Sequence, residues 1–139
     1  MTQCVKLLLT LLCGFMLAAC TTNTAIREDF DKSFKAYNRM LRWQEVEQAG
    51  MRYMEPEQRD AFMTVAEQLK KRKVTITDYR ILTTECLPEA GSGDVSTEFD
   101  YFILPSNRIK TLTYRQKWVY REIGGEKGWR VKSPLPAFE

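Results

Sequence analysis

"VSTEFDYFILPSNRIKTLTYRQKWVYREIGGEKGWRV", residues 95–131, decides how this chain folds. Apolar and aromatic residues recur at every second position, first Val95, Thr97, Phe99, Tyr101 and Ile103, then Leu112, Tyr114, Gln116, Trp118 and Tyr120. A period of two is that of a β-strand with one buried face. The "PSN" between the two runs reads as a turn. A two-residue turn at Ser106-Asn107 sets Tyr101 opposite Leu112, Phe99 opposite Tyr114, Thr97 opposite Gln116 and Val95 opposite Trp118, so both apolar sets share a face. The same register puts Glu98 opposite Arg115 on the other face, a favourable cross-strand charge pair. Gly124-Gly125 suits the positive φ angles of a type I′ hairpin and sets Tyr120 opposite Trp129 and Trp118 opposite Val131. The stretch is thus a meander of long antiparallel strands with one aromatic face.

Working outward, "VTITDYRILTT", residues 74–84, is a further strand. Val74 and Ile76 share one parity while Tyr79 and Ile81 have the other, so a bulge near Thr77 and Asp78 is required if all four are buried. "PEAGSGD" reads as a loop, and its glycines, like Gly124 and Gly125, are assigned to turns. Upstream, Phe30, Phe34, Tyr37 and Leu41 in "REDFDKSFKAYNRMLRWQEVEQAG" are spaced as the stripe of an amphipathic helix, with Asp29 and Asp31 near its start suiting the helix dipole. A second helix is expected from Pro56, with Phe62, Val65, Ala66 and Leu69 on its buried face and the basic run 70–73 solvated at its end. "SPLPAFE" closes the chain as an extended tail. Two helices on the aromatic face of an antiparallel meander make an α+β layer architecture, expected as one domain over residues 26–139.

The N-terminus carries a different signal. An apolar run from Val5 to Leu17, broken only by the cation Lys6, Thr10 and Gly14, is shorter than the roughly 20 residues a membrane span needs. It reads as a secretory signal, residues 1–19. Leu17-Ala18-Ala19-Cys20 resembles the lipobox of bacterial lipoproteins. The resemblance implies that Cys20 is diacylglycerated, that the chain is cut before it, and that residues 20–25 form a lipidated tether. Several acyl chains, at about 0.8 kcal/mol per buried methylene, hold such a protein on its membrane. Thr21 stands where similar lipoproteins kept at the inner membrane often carry Asp, which favours the outer membrane facing the periplasm.

Cleavage would remove Cys4 and Cys13 and occupy Cys20, so the 120 residues left of 139 keep one thiol, Cys86, expected to be a small inert core residue. With one thiol and no histidine in the chain, Cys/His nucleophiles and Cys/His metal sites are excluded. The expected set of metals and cofactors is empty. Losing Lys6 lowers the net charge from +3 to +2, too mild to call for nucleic acid.

Taken together, "YNRMLRWQE", "MEPEQRDAF", "VTITDYRI", "QKWVY" and "GWRV" resemble small bacterial lipoproteins of the nuclear-transport-factor-2-like superfamily. That resemblance implies a curved sheet wrapped round a helix to form a cystatin-like cone. Catalysis in such a cone needs a carboxylate or histidine base beside oxyanion donors. The aromatic face offers instead Thr97 and Gln116 with the phenols of Tyr79, Tyr101 and Tyr114, and these five are the candidate pocket; no catalytic residue is assigned. The expected function is a non-catalytic envelope module, anchored through Cys20, that binds an envelope protein or a small apolar ligand. The alternative is an isomerase- or dehydratase-like enzyme using Asp78 at the bulge with a tyrosine donor.

Overall fold

The computed structural model describes the backbone of residues 2–139 and the side chains of residues 3–6 and 21–139. Three helices, α1 (Thr2–Arg42), α2 (Val46–Tyr53) and α3 (Arg59–Lys71), precede four strands, β1 (Val74–Leu87), β2 (Ser92–Ile103), β3 (Lys110–Ile123) and β4 (Glu126–Val131). The strands form an open antiparallel sheet in the order β1-β2-β3-β4. The fold is α+β, with the helices on the aromatic face of the meander.

The helical count differs from expectation because the stretch read as one helix is two. At the end of α1, Gln44 takes a φ of 64°, Gln44 N–H donates to Leu41 O and Glu45 N–H to Met40 O, the pattern of a Schellman stop. The residue in the left-handed position is usually Gly; here the Gln44 amide offsets the strain by donating to Ile76 O at 3.0 Å on β1. The second expected helix opens with a 3₁₀ turn at Pro56–Gln58 and continues as α3. At the other end α1 runs straight through residues 21–25, read from the sequence as a tether. Asp29 and Asp31 therefore lie inside the helix rather than at its start, and Asp31 pairs with Lys35 at 2.6 Å, one turn on.

In the sheet, the bulge expected near Thr77 is present: β1 slips by one residue against β2 between Ile76 and Asp78. A second slip, between Ile81 and Thr83, was not foreseen. The first turns Tyr79 and Ile81 onto the face that Val74 and Ile76 already occupy, and the second brings Thr84 opposite Val95 and Cys86 opposite Gly93.

The β3–β4 hairpin has the expected register, Tyr120 with Trp129 and Trp118 with Val131, and Gly124 and Gly125 have φ of 60° and 85°. The β2–β3 register is corrected by two residues. Tyr101 faces Lys110, Phe99 faces Leu112, Thr97 faces Tyr114 and Val95 faces Gln116, because residues 104–109 form a six-residue connection in place of a two-residue turn. A shift of two preserves which side chains face inward, so the buried set is as expected. The partners change: Glu98 meets Arg80 of β1 rather than Arg115, and the same guanidinium reaches Asp100 at 3.1 Å.

One further correction concerns the start of a strand. "PEAGSGD" contributes only a 3₁₀ turn, Pro88–Ala90, and Gly91, while Ser92, Gly93 and Asp94 belong to β2. Gly93 is a packing position, since a Cβ there would stand 2.5 Å from the Phe30 ring of α1. The closing tail is core, with Leu135 and Phe138 buried. Phe138 sits among Phe99 and Tyr101, ring centroids 6.0 and 5.0 Å away, and Arg72 at the end of α3 donates to the carbonyls of Ala137 and Phe138.

Candidate functional site

The Cys20 side chain, and with it the lipobox, lies outside the described residues; the backbone there belongs to α1. From Ile26 onward α1 is bound into the domain. Phe30, Phe34, Tyr37 and Leu41 are buried, Trp129 donates its indole N–H to Ile26 O at 3.1 Å, and Arg27 donates to Cys86 O at 3.0 Å.

The five candidate pocket residues share the aromatic face, and two of them, Gln116 and Tyr114, belong to separate polar clusters. Gln116 and Asn38 of α1 form a reciprocal amide pair: Gln116 Nε2 donates to Asn38 Oδ1 at 2.6 Å and Asn38 Nδ2 to Gln116 Oε1 at 3.3 Å. Asn38 gives its other amide hydrogen to Phe34 O at 2.8 Å, and Trp118 Nε1 donates to Gln116 Oε1 at 3.2 Å. A second cluster joins two phenols. Tyr114 donates its single hydroxyl proton to Ser133 O at 3.1 Å, so Tyr37, whose oxygen is 3.1 Å from that of Tyr114, must be the donor between them. Burial pushes both phenols well above the ordinary tyrosine range.

Tyr101 donates to the carbonyl of Glu139 in the tail. Tyr79 is half-buried against Phe99. Thr97, fully buried, faces Tyr114 rather than Gln116, and its hydroxyl has no hydrogen-bond partner.

No protein-family profile, curated protein or solved structure matches the chain.

The enzyme alternative rests on Asp78 with a tyrosine donor. Asp78 is exposed on the bulge, where its carboxylate caps the Tyr79 N–H at 2.8 Å, the common role of Asp at a strand irregularity. Cys86 is half-buried, and burial raises its thiol above the usual range, which makes it less nucleophilic at neutral pH.

Three features were missed in the sequence. One is Asn38, four residues after Phe34 on the same helix face; that spacing was the available signal. The second is Glu55, 3% exposed after α2, which binds Arg121 at 2.7 Å through one oxygen while its Oε1 is unpartnered. Burial raises its pKa, and Arg121 opposes the rise. The third is a pair of clefts at the edges of the helical layer. One, about 250 Å³, lies between the α1–α2 turn, α3 and β1 and includes Val46, Ala66, Leu69, Val74 and Ile76 with Gln44 and Lys70 at its polar side. The other, about 380 Å³, is bordered by α1, the end of α2 and β4 and includes Lys32, Arg52, Lys127 and Arg130. Each draws on segments far apart in the chain, so neither leaves a local motif.

Proposed function

We propose that this chain is a lipoprotein of the bacterial cell envelope, anchored through acylated Cys20 on the outer membrane facing the periplasm, and that residues 26–139 act as a non-catalytic binding module of the nuclear-transport-factor-2-like cone type. The observation that carries the reading is the continuity of α1. One helix leads from the lipobox segment to the Phe30, Phe34, Tyr37 and Leu41 stripe, so an anchor at Cys20 is joined to the core without an intervening loop. Among the described residues no helix is long and apolar enough to cross a membrane.

The non-catalytic part rests on the interior. Gln116 is committed to Asn38 and Trp118, and Tyr114 to Ser133 O, which leaves the oxyanion donors that an isomerase of this fold requires already occupied. Binding is then a matter for the edges, and the apolar cleft beside α3 is the place for a small apolar ligand.

Metabolic labelling with palmitate tests the anchor. Wild type is expected to take up label and fractionate with membranes, and Cys20→Ala to lose the label, because the thiol is the only nucleophile at the lipobox. Label retained in Cys20→Ala would overturn the lipoprotein reading.

A further inference from the structure

The second cleft carries an inference about what the module binds. Lys32 comes from α1, Arg52 from the last turn of α2, and Lys127 and Arg130 from β4, and these four cations share the cleft with one carboxylate, Asp29. Lys35, one turn along α1 from Lys32, is by contrast paired with Asp31 at 2.6 Å, and Arg121 with Glu55 at 2.7 Å. The four in the cleft make no ion pair among the described residues. Arg52 is held by stacking over Tyr53, 5.4 Å from the ring centroid, and Arg130 is steadied by one donation to Trp129 O at 3.2 Å. The Arg130 Nε is shielded from solvent and has no hydrogen-bond partner. Four cations without an ion pair, two of them arginines, favour an occupant that is anionic and rich in acceptor oxygens.

We propose that this cleft is a binding site for a phosphate group. Arginine's planar fork matches two phosphate oxygens, the lysine amines supply point charge, and about 380 Å³ is ample for a phosphate and a glycerol-sized substituent. The site stands on its own residues. If the chain is anchored as proposed above, Asp29 and Lys32 lie nine and twelve residues along α1 from Cys20, about 14 and 18 Å at 1.5 Å per residue, which brings lipid headgroups within range. A soluble phosphate compound and a lipid headgroup share this chemistry.

The test is calorimetric titration of the full-length chain, in a nonionic detergent, with inorganic phosphate, with glycerol 3-phosphate and with a short-chain phosphatidylglycerol below its micellar concentration. Acylation is not needed for it, so this result and the palmitate result can fail separately. Binding is expected, with affinity falling about tenfold in Lys32→Gln and in Lys127→Gln, both exposed positions that should fold normally, and at least as much in Arg130→Gln. Lys35→Gln should leave affinity unchanged. Tighter binding of the phosphatidylglycerol than of the two soluble compounds assigns the cleft to a headgroup, and the reverse order assigns it to a soluble phosphate. Absence of binding by all three ligands at millimolar concentration would overturn the proposal, as would an equal loss of affinity in Lys35→Gln, which would reduce the effect to general surface charge.

Discussion

Thr97 and Gln116 were paired by the sequence and are separated by the structure, and the separation predicts opposite responses to substitution. The Thr97 hydroxyl is buried without a partner, so it bears the cost of desolvation with no compensating bond. Thr97→Val keeps the shape and removes the hydroxyl. It is expected to raise stability by up to about 1 kcal/mol in thermal or urea denaturation. Gln116→Leu should do the reverse, at about 2–3 kcal/mol, since it strands Asn38 Oδ1 and the Trp118 indole N–H in a dry interior. The Asn38→Leu, Gln116→Leu double variant should cost less than the two singles added, because each single leaves the other amide unpaired.

Glu55 sets a pH dependence whose sign follows from its surroundings. Burial raises its pKa above the ordinary 4.5, so the folded chain holds this proton more tightly than the unfolded chain does. Its contribution is therefore complete below 4.5 and is lost as pH rises through the elevated folded value. Asp100 acts in the opposite sense. Arg80 and Thr111 hold it below 3.8, so its stabilisation is present above that value and lost as pH falls below it. Between pH 4.5 and neutrality, wild type should lose stability relative to Glu55→Gln as pH rises, read from denaturation midpoints; a parallel pH course for the two proteins would refute the assignment.

Helix α2 offers a test in which propensity and packing disagree. Alanine is favoured over glycine inside a helix by about 1 kcal/mol, so Gly50→Ala would be expected to stabilise α2 on local grounds. A Cβ at Gly50, however, would stand 2.4 Å from two ring carbons of Phe62 in α3, and that ring is buried. The contact should win, and Gly50→Ala is expected to destabilise the protein by about 1–2 kcal/mol, measured by denaturant titration. Gly93, 2.5 Å from the Phe30 ring by the same measure, plays the equivalent part between β2 and α1. Element types were legible wherever one periodicity ran long enough, as in the Phe30 to Leu41 stripe and the alternation of residues 95–103. Boundaries were less so: the Schellman stop uses Gln44 in place of Gly and lacks the usual mark.

Across the molecule, the chain is closed by its own C-terminus. Phe138 has a φ of 51°, uncommon for a bulky side chain, and it is held there by the fit of its ring against Phe99 and Tyr101 and by Arg72 on the carbonyls of residues 137 and 138. Phe138→Ala is expected to cost about 3–5 kcal/mol, seen as a large fall in melting temperature. An eight-residue extended tail has no periodicity to announce it. Only the gap it fills, between the end of α3 and β2, shows that Leu135 and Phe138 are core.

The order of the strands, the face each one buries and the β3–β4 register could be read from residues alone, since alternation and the Gly124-Gly125 turn act over neighbouring positions. The first bulge was legible for the same reason: burying both Ile76 and Tyr79 leaves no other solution. Contacts between distant segments were not legible. The β2–β3 register depended on how residues 104–109 cross between strands. The Asn38–Gln116 pair joins positions 78 apart, and the phosphate-sized cleft joins residues from α1, α2 and β4. Local pattern prescribes which way a side chain faces, whereas its partner is chosen by the packing of layers, where charge, volume and unpaired hydrogen bonds from several segments are balanced at once.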